Sequence, residues 1–180
     1  MNMPASSKEG KAQTVEWIKE IKEPIKRVLD LGTGKGTYSR LFRKHKTTQL
    51  YNSHWIGIEA WTPYIDQFDL RHQYHEIINE DIRKVDYQTL SPIDLTFAGD
   101  VLEHVTKEES IDVVDRVLAI CPRLLISIPI IHYPQDAFEG NHFEIHVKDD
   151  WSHEEMMDTF PQIRKIWTGR EIGCYLLSST

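Results

Sequence analysis

The chain has 180 residues, of which 40% are apolar and 27% charged, a composition typical of one soluble domain with a full core rather than of a disordered chain. The net charge is −7, so the surface repels a nucleic-acid backbone unless basic residues gather on one face. The two cysteines form no CxxC pair, which argues against a structural zinc site or a disulfide framework.

No apolar run approaches the ~20 residues that cross a bilayer, and the N-terminus lacks the apolar core of a secretory signal. We therefore expect a cytoplasmic protein with no membrane partner. The first thirteen residues are small and polar, which predicts a flexible tail over residues 1–13 and a single domain over residues 14–180.

Apolar spacing and turn signals predict alternating helices and strands along the chain. In chain order these are a helix at 14–23, a strand at 27–31, a helix at 37–44, a strand at 55–58, a helix starting at Thr62-Pro63, strands at 74–78 and 93–98, a helix opened by a Thr106/Glu109 capping box, a strand at 123–128, a short helix at 152–160, and two extended segments near 164–167 and 174–177.

The first five strands are near-continuous apolar runs separated by helices, which is typical of a parallel sheet covered on both faces. Too few residues join the last two strands for a crossover helix, so we expect them to pair as an antiparallel hairpin at one edge. The pattern predicts an α/β fold of the Rossmann-like, doubly wound type. Its seven-stranded sheet is mostly parallel, with a C-terminal antiparallel edge hairpin and helices on both faces.

The stretch RVLDLGTGKGT, residues 27–37, places three glycines after a buried strand. A Walker loop needs a glycine at position 29, where this chain has leucine, and a Ser or Thr at position 36, where it has glycine. The dinucleotide fingerprint GxGxxG needs a third glycine at Thr37. Both phosphate-binding motifs therefore lack a key residue, and Lys35 is expected to face solvent.

An acid followed by GxGxG, as in VLDLGTGKG, resembles the first motif of class I S-adenosylmethionine-dependent methyltransferases. The resemblance implies S-adenosylmethionine as the cofactor, with Asp30 on its amino group, Glu59 on both ribose hydroxyls and Asp81 on the adenine amino group. A single such acid is as readily a turn former or helix cap. The implied cofactor-binding residues are Asp30, Gly32, Thr33, Gly34, Gly36, Glu59, Asp81, Ile82 and Gly99.

Residues 94–105, DLTFAGDVLEHV, resemble the fourth-strand motif of the same family. Methyl transfer needs an aligned acceptor, and a base only when the acceptor is oxygen or nitrogen. The long polar segment after the fifth strand carries the pattern N-x-F-E-x-H at 141–146, similar to the pocket wall of some small class I methyltransferases; alternatively, Asn141 and Glu144 only tie this loop together. The catalytic candidates are Asp100, His104 and His146, and the substrate-pocket candidates are Glu103, His142 and Glu144.

The sequence Asp100-x-x-Glu103-His104 with a later histidine resembles the metal-dependent small-RNA 2′-O-methyltransferases, which have a Glu where Asp100 stands. The same Glu-His pair is widespread in methyltransferases that use no metal. The visible basic cluster, residues 40–46, is typical of a helix C-terminus. We therefore expect no metal and no nucleic-acid partner.

The leading hypothesis is an S-adenosylmethionine-dependent methyltransferase that acts on an oxygen or nitrogen of a small or modest-sized acceptor molecule. The alternatives are a non-catalytic S-adenosylmethionine-binding partner subunit and a metal-dependent RNA 2′-O-methyltransferase. A nicotinamide oxidoreductase is disfavoured by Thr37. The acceptor and the oligomeric state stay open at this point.

Overall fold

A computed structural model describes residues 7–44 and 49–179, with the side chain of Lys44 excepted. These ranges contain seven strands and six α-helices. The strands are β1 Arg27–Leu31, β2 His54–Ile58, β3 Glu76–Ile78, β4 Leu95–Gly99, β5 Arg123–Pro129, β6 Ile163–Thr168 and β7 Ile172–Ser178; the helices are α1 Lys11–Glu20, α2 Thr37–Lys44, α3 Thr62–Gln67, α4 Leu70–Gln73, α5 Lys107–Leu118 and α6 His153–Thr159.

All seven strands form one sheet in the order β3-β2-β1-β4-β5-β7-β6. The pairs among β1 to β5 are parallel, while β7 is antiparallel to both β5 and β6. The order reverses between β1 and β4, which is the switch point where doubly wound folds bind ligands at the carboxyl ends of the strands. The predicted fold class and edge hairpin are confirmed.

Successive strand residues enter two separate cores because side chains alternate between the faces of a sheet. Val28 packs with α1 and α2 on one face, while Leu29 packs with α5 and α6 on the other. Because both faces are covered, the strands are continuously apolar and lack the alternating polarity of a half-exposed sheet.

The starts of α1 and β3 differ from the sequence prediction, and each difference has an identifiable contact as its cause. Helix α1 begins at Lys11 rather than Thr14, immediately after Gly10, which has a φ of 72°. A Cβ on Gly10 would lie 2.2 Å from Cys174 Sγ, so the helix start is fixed by β7. Strand β3 begins at Glu76 rather than Tyr74, because Tyr74 ends α4 with its N–H bonded to the Leu70 carbonyl.

The segment that precedes α1 contacts the edge hairpin. The Glu9 carboxylate accepts hydrogen bonds from the N–H groups of Glu171 and Ile172. Residues 1–6 of the expected tail, and His45 and Lys46 of the basic cluster, lie outside the described residues. None of the helices in the described ranges has the length and apolar character of a membrane span.

Candidate functional site

A cavity of about 390 Å³ opens at the carboxyl ends of β1, β2 and β4. Most of the residues that the sequence singles out line this one cavity: Asp30, Gly32, Thr33, Gly34, Glu59, Asp81, Ile82, Gly99, Asp100, Glu103, His104, Glu144 and His146. Their convergence follows from the parallel sheet, which brings the ends of separate strands to one side. The volume is that of a small-molecule site.

Asp30 is the next-to-last residue of β1 and is 3% exposed. The Tyr74 hydroxyl donates a hydrogen bond to Asp30 Oδ2 at 2.5 Å. Burial raises the pKa of Asp30 to about 7, although the Tyr74 hydrogen bond and the charge of Lys11 oppose the shift. A cationic ligand group beside this carboxylate would favour its ionised form.

Glu59 follows β2 and connects it to the glycine loop. Its Oε2 accepts hydrogen bonds from the Gly34 N–H at 2.9 Å and from the Thr33 hydroxyl at 3.2 Å. Its Oε1 accepts from the Trp61 N–H at 2.9 Å. Burial raises the pKa of Glu59, and these three donors partly offset that effect. The acid is thus held in place at the cavity wall by backbone N–H groups.

Gly32 and Gly36 of the loop both have a left-handed backbone that favours glycine, and each lies close to another side chain. Gly32 has a φ of 58°, and a Cβ there would lie 2.7 Å from a methyl group of Val101. Gly36 has a φ of 74°, and a Cβ there would lie 2.2 Å from Gln73 Oε1; among the residues described, Gly36 is not part of the cavity wall. Gly34 lines the cavity, and a Cβ built there would have no other heavy atom within 4 Å.

Asp81 and Ile82 lie beyond β3 and are both nearly buried, at 8% and 7% exposure. The Asp81 carboxylate accepts hydrogen bonds from the Arg83 side chain on both oxygens. Burial opposes ionisation, but the Arg83 hydrogen bonds lower the pKa of Asp81 overall. An adenine amino group that used this carboxylate would therefore compete with Arg83.

Past β4, two carboxylates lie in the cavity wall without hydrogen-bond partners among the described residues. They belong to Asp100, which has a φ of 56°, and to Glu103, which is 2% exposed. Burial and the nearby Asp100 charge raise the pKa of Glu103 well above its ordinary value. Buried carboxylates without a hydrogen-bond partner are rare, so Asp100 and Glu103 need a partner such as a ligand, an ion or a water molecule.

His104 and His146 face each other across this part of the cavity, with ring centroids 4.8 Å apart. Nδ1 of His104 lies 3.1 Å from the Ile145 carbonyl oxygen, and Nδ1 of His146 lies 2.5 Å from that of Tyr133. A carbonyl can only accept, so each neutral ring carries its proton on Nδ1 and leaves the Nε2 lone pair free. Burial lowers the pKa of both rings.

One ligating atom from each of Glu103, His104 and His146 lies within 4.8 Å of the others. Carboxylate oxygen and imidazole nitrogen are the ligands of divalent transition metals. Backbone carbonyls that fix Nδ1–H, as here, orient histidines at metal sites. These three residues fit a divalent cation, although the sequence pattern leads us to expect no metal.

The structure does not place His142 in the pocket wall. Its side chain is exposed, because the Asn141 side chain accepts a hydrogen bond from the Phe143 N–H and starts a turn that directs His142 outward. Phe143 and Asn141 line the cavity instead. The prediction that Lys35 faces solvent is also wrong, because Lys35 is half-buried and lines the cavity.

Three contributions to the site were not predicted. Tyr74 was assigned only as the start of β3, Tyr133 only as part of the long loop, and Lys11 as part of the tail. The Lys11 ammonium donates to the hydroxyls of Tyr38, at 3.1 Å, and of Ser127, at 3.4 Å. Burial opposes its charge, but interactions with Tyr38 and Asp100 raise the pKa of Lys11 overall.

Several solved structures share this fold. The N-terminal domain of EvdMO1 with SAH bound superposes with a TM-score of 0.67 at 12% identity, covering 97% of this chain and 83% of that one. Magnesium protoporphyrin IX methyltransferase (ChlM) from Synechocystis PCC 6803 with bound SAM gives a TM-score of 0.66 at 14% identity, covering 96% and 79%.

The methyltransferase domain of bacterial CtHen1 gives a TM-score of 0.66 at 16% identity, covering 93% of this chain and 96% of that domain. No family model and no curated protein sequence matches the chain. The chain has the fold of class I S-adenosylmethionine-dependent methyltransferases, which confirms the resemblance at the level of the fold.

Proposed function

We propose that the protein is an S-adenosylmethionine-dependent methyltransferase that transfers a methyl group to an oxygen or nitrogen of a small or modest-sized acceptor. The observation that carries the proposal is the single cavity. One half of this cavity contains the buried acids Asp30 and Glu59. The second half is formed by the segments that follow β4 and β5. We call this second half the acceptor half; it consists of Asp100, Glu103, His104, Gln135, Glu144 and His146.

The cofactor assignment rests on the glycine loop and the two buried acids. Asp30 suits the cofactor's ammonium group, since burial makes an unpaired carboxylate there costly. Glu59 suits the ribose, because a carboxylate can accept hydrogen bonds from both ribose hydroxyls in addition to those from Thr33 and Gly34. Structural neighbours crystallised with SAH or SAM support this assignment.

S-adenosylmethionine supplies a methyl group on a sulfonium centre. The protein's own residues orient the acceptor and remove its proton. The free Nε2 lone pairs of His146 and His104 are suited to accept that proton, and the lowered pKa of each ring keeps the lone pair available at neutral pH. The protein's remaining contribution is to hold the acceptor's lone pair in line with the methyl group.

Two measurements test the proposal. Calorimetry should show binding of S-adenosylhomocysteine, and an assay that detects release of S-adenosylhomocysteine should show turnover with an acceptor. We expect His146→Ala to abolish turnover while retaining cofactor binding. His132→Ala is the matched control, because His132 lies in the same loop but is 70% exposed and contacts Asp149. No binding by the wild type contradicts the proposal. Binding without turnover on any acceptor favours the non-catalytic partner subunit.

A metal-assisted transferase is a second candidate, favoured by the three ligating groups of Glu103, His104 and His146. A divalent cation held there would add positive charge at the acceptor oxygen and lower the pKa of its hydroxyl. The RNA 2′-O-methyltransferase alternative belongs to this candidate. Its support is the orphaned Glu103 carboxylate, which is buried and has no hydrogen-bond partner among the described residues.

Calorimetry with magnesium or manganese, in the presence of S-adenosylhomocysteine, tests this candidate without an acceptor. We expect a heat of binding in the wild type and its loss in Glu103→Gln. Glu108→Gln, a change of an exposed acid on α5, is the control and should bind as the wild type does. Absence of a binding heat in the wild type contradicts a metal site.

A further inference from the structure

The charges of the acceptor half carry an inference about the acceptor that rests on the proposed function. Asp100, Glu103 and Glu144 all line it. Among the described residues that line the whole cavity, the Lys and Arg side chains are those of Lys35, in the glycine loop, and Arg83, which is paired with Asp81 and Glu109. Both belong to the cofactor side, so the acceptor half presents no lysine or arginine to an anion.

Two lysines near this half are directed elsewhere. The Lys11 ammonium lies 4.3 Å from the centroid of the Tyr38 ring and is bonded to Tyr38 and Ser127. The Lys148 ammonium pairs with the carboxylates of Asp150 and Glu155. Neither lysine lines the cavity, so neither offers a direct contact to a bound acceptor.

The polar atoms of the acceptor half are mainly hydrogen-bond acceptors. The Asp100 carboxylate has no partner among the described residues, and an ionised carboxylate only accepts. Glu103 also has no partner there, and while it keeps its proton it offers one donor as well as an acceptor oxygen. His104 and His146 present Nε2 lone pairs, since both Nδ1 atoms face carbonyl oxygens. The Gln135 amide already donates to the Glu144 carbonyl and carboxylate. A complementary ligand must therefore bring O–H or N–H donors.

Two aromatic rings stand at the mouth of the cavity, and we call them the aromatic rim. Tyr133 is 47% exposed and Phe143 is 41% exposed, and both line the cavity. The Tyr133 ring lies 5.6 Å from the ring of His146, centroid to centroid. Exposed aromatic surface beside a pocket is suited to cover the flat apolar face of a bound ring.

We infer that the acceptor is a ring compound without negative charge that carries neighbouring hydroxyl or amine groups. Its flat face lies on the aromatic rim, and its donors point toward Asp100 and the histidines. Acceptors that bear a carboxylate or phosphate close to the ring are repelled by the carboxylates of Asp100 and Glu144, with no lysine or arginine of this half to offset them. Phenolic rings and sugar rings share this chemistry.

Matched pairs of ligands test the inference by binding alone, measured by NMR titration on the protein saturated with S-adenosylhomocysteine. One pair is catechol and protocatechuate; the other is methyl glucoside and methyl glucuronide. EDTA is present, because a divalent cation would attract the anionic member whatever the charges of the protein. We expect the neutral member of at least one pair to bind ~10-fold or more tightly than its carboxylated analogue.

Binding by a member of the catechol pair identifies a phenolic acceptor, and binding by a member of the glucoside pair identifies a sugar acceptor. Equal or tighter binding of the carboxylated members, or no binding by either pair, overturns the inference. Failure of S-adenosylhomocysteine to saturate the protein instead counts against the proposed function, so the two failures are distinguishable.

Variants locate the binding to this half of the cavity. We expect Phe143→Ala and Tyr133→Ala each to weaken binding of the neutral ring several-fold. Glu144→Gln is expected to narrow the preference for the neutral over the carboxylated member. Ile166→Ala is the control, because Ile166 is 45% exposed on β6 and does not line the cavity. A rim variant that binds as tightly as this control contradicts the placement of the ring.

Discussion

The Glu59 carboxylate accepts a hydrogen bond from the Gly34 N–H at 2.9 Å. This contact joins the acid after β2 to the backbone of the glycine loop after β1. Glu59 therefore has two tasks, since it shapes the loop in the free protein and is positioned to meet the ribose when the cofactor binds. Substitutions at this position should separate the two effects.

We expect Glu59→Ala to abolish detectable cofactor binding and Glu59→Gln to weaken it by at least ~10-fold, because a hydrogen bond to a charged group contributes about 1.5–3 kcal/mol. The alanine variant also leaves the N–H groups of Gly34 and Trp61 without their acceptor, so its melting temperature should fall below that of the glutamine variant. Calorimetry and thermal unfolding measure the two effects. An unchanged dissociation constant in both variants would defeat the cofactor assignment.

Cofactor affinity should depend on pH through Asp30. The pKa of Asp30 is raised to about 7 in the free protein, and the cofactor's ammonium group binds best to the ionised carboxylate. Affinity should therefore fall as the pH is lowered from about 7 to about 5, by up to ~10-fold per unit. Tyr74→Phe removes a donor to the carboxylate, so the midpoint should move to higher pH. Calorimetric titrations at several pH values measure this; a flat profile in the wild type contradicts it.

The raised pKa of Glu103 predicts a pH-dependent gain of stability in Glu103→Gln. The native protein keeps the proton while the unfolded chain releases it near its ordinary pKa of about 4.3, so the wild type loses stability as the pH rises from there toward the folded-state value. Glutamine removes this dependence. We expect the melting temperature of the variant, relative to the wild type, to rise between about pH 5 and about pH 8. EDTA is present in both samples. Glu108→Gln should show no such trend.

Gly32 and Gly34 should differ in their tolerance of alanine. Both have positive φ, 58° and 48°, which costs an L-residue about 1–2 kcal/mol. Only the Gly32 Cβ would also meet a neighbour, Val101, at 2.7 Å. Urea unfolding should therefore show a larger loss for Gly32→Ala, by roughly 1–3 kcal/mol. The double variant Gly32→Ala/Val101→Ala should recover part of that extra loss in a double-mutant cycle; equal losses in the two single variants contradict the explanation.

The local sequence determined the strands, the edge hairpin and the acids that follow β1 and β2. These features depend on the order of neighbouring residues, because a buried strand is a continuous apolar run and the turn residues that end it come directly after that run. Asp30, Glu59 and the GxGxG loop could thus be assigned to one end of the sheet before any contact was known. The same reasoning correctly placed Thr106 and Glu109 as a capping box.

Only the tertiary structure decided which side chains meet across that end. Tyr74 reaches Asp30 over 44 positions of sequence. His146 faces His104 because the long loop after β5 is bonded to the segment after β4, where the Lys148 N–H donates to the Glu103 carbonyl. The turn started by Asn141 directs His142 away. The start of α1 likewise depends on Gly10 meeting Cys174. Such contacts join residues distant in sequence, so periodicity and local propensity cannot report them; they are set by the packing of complete elements against one another.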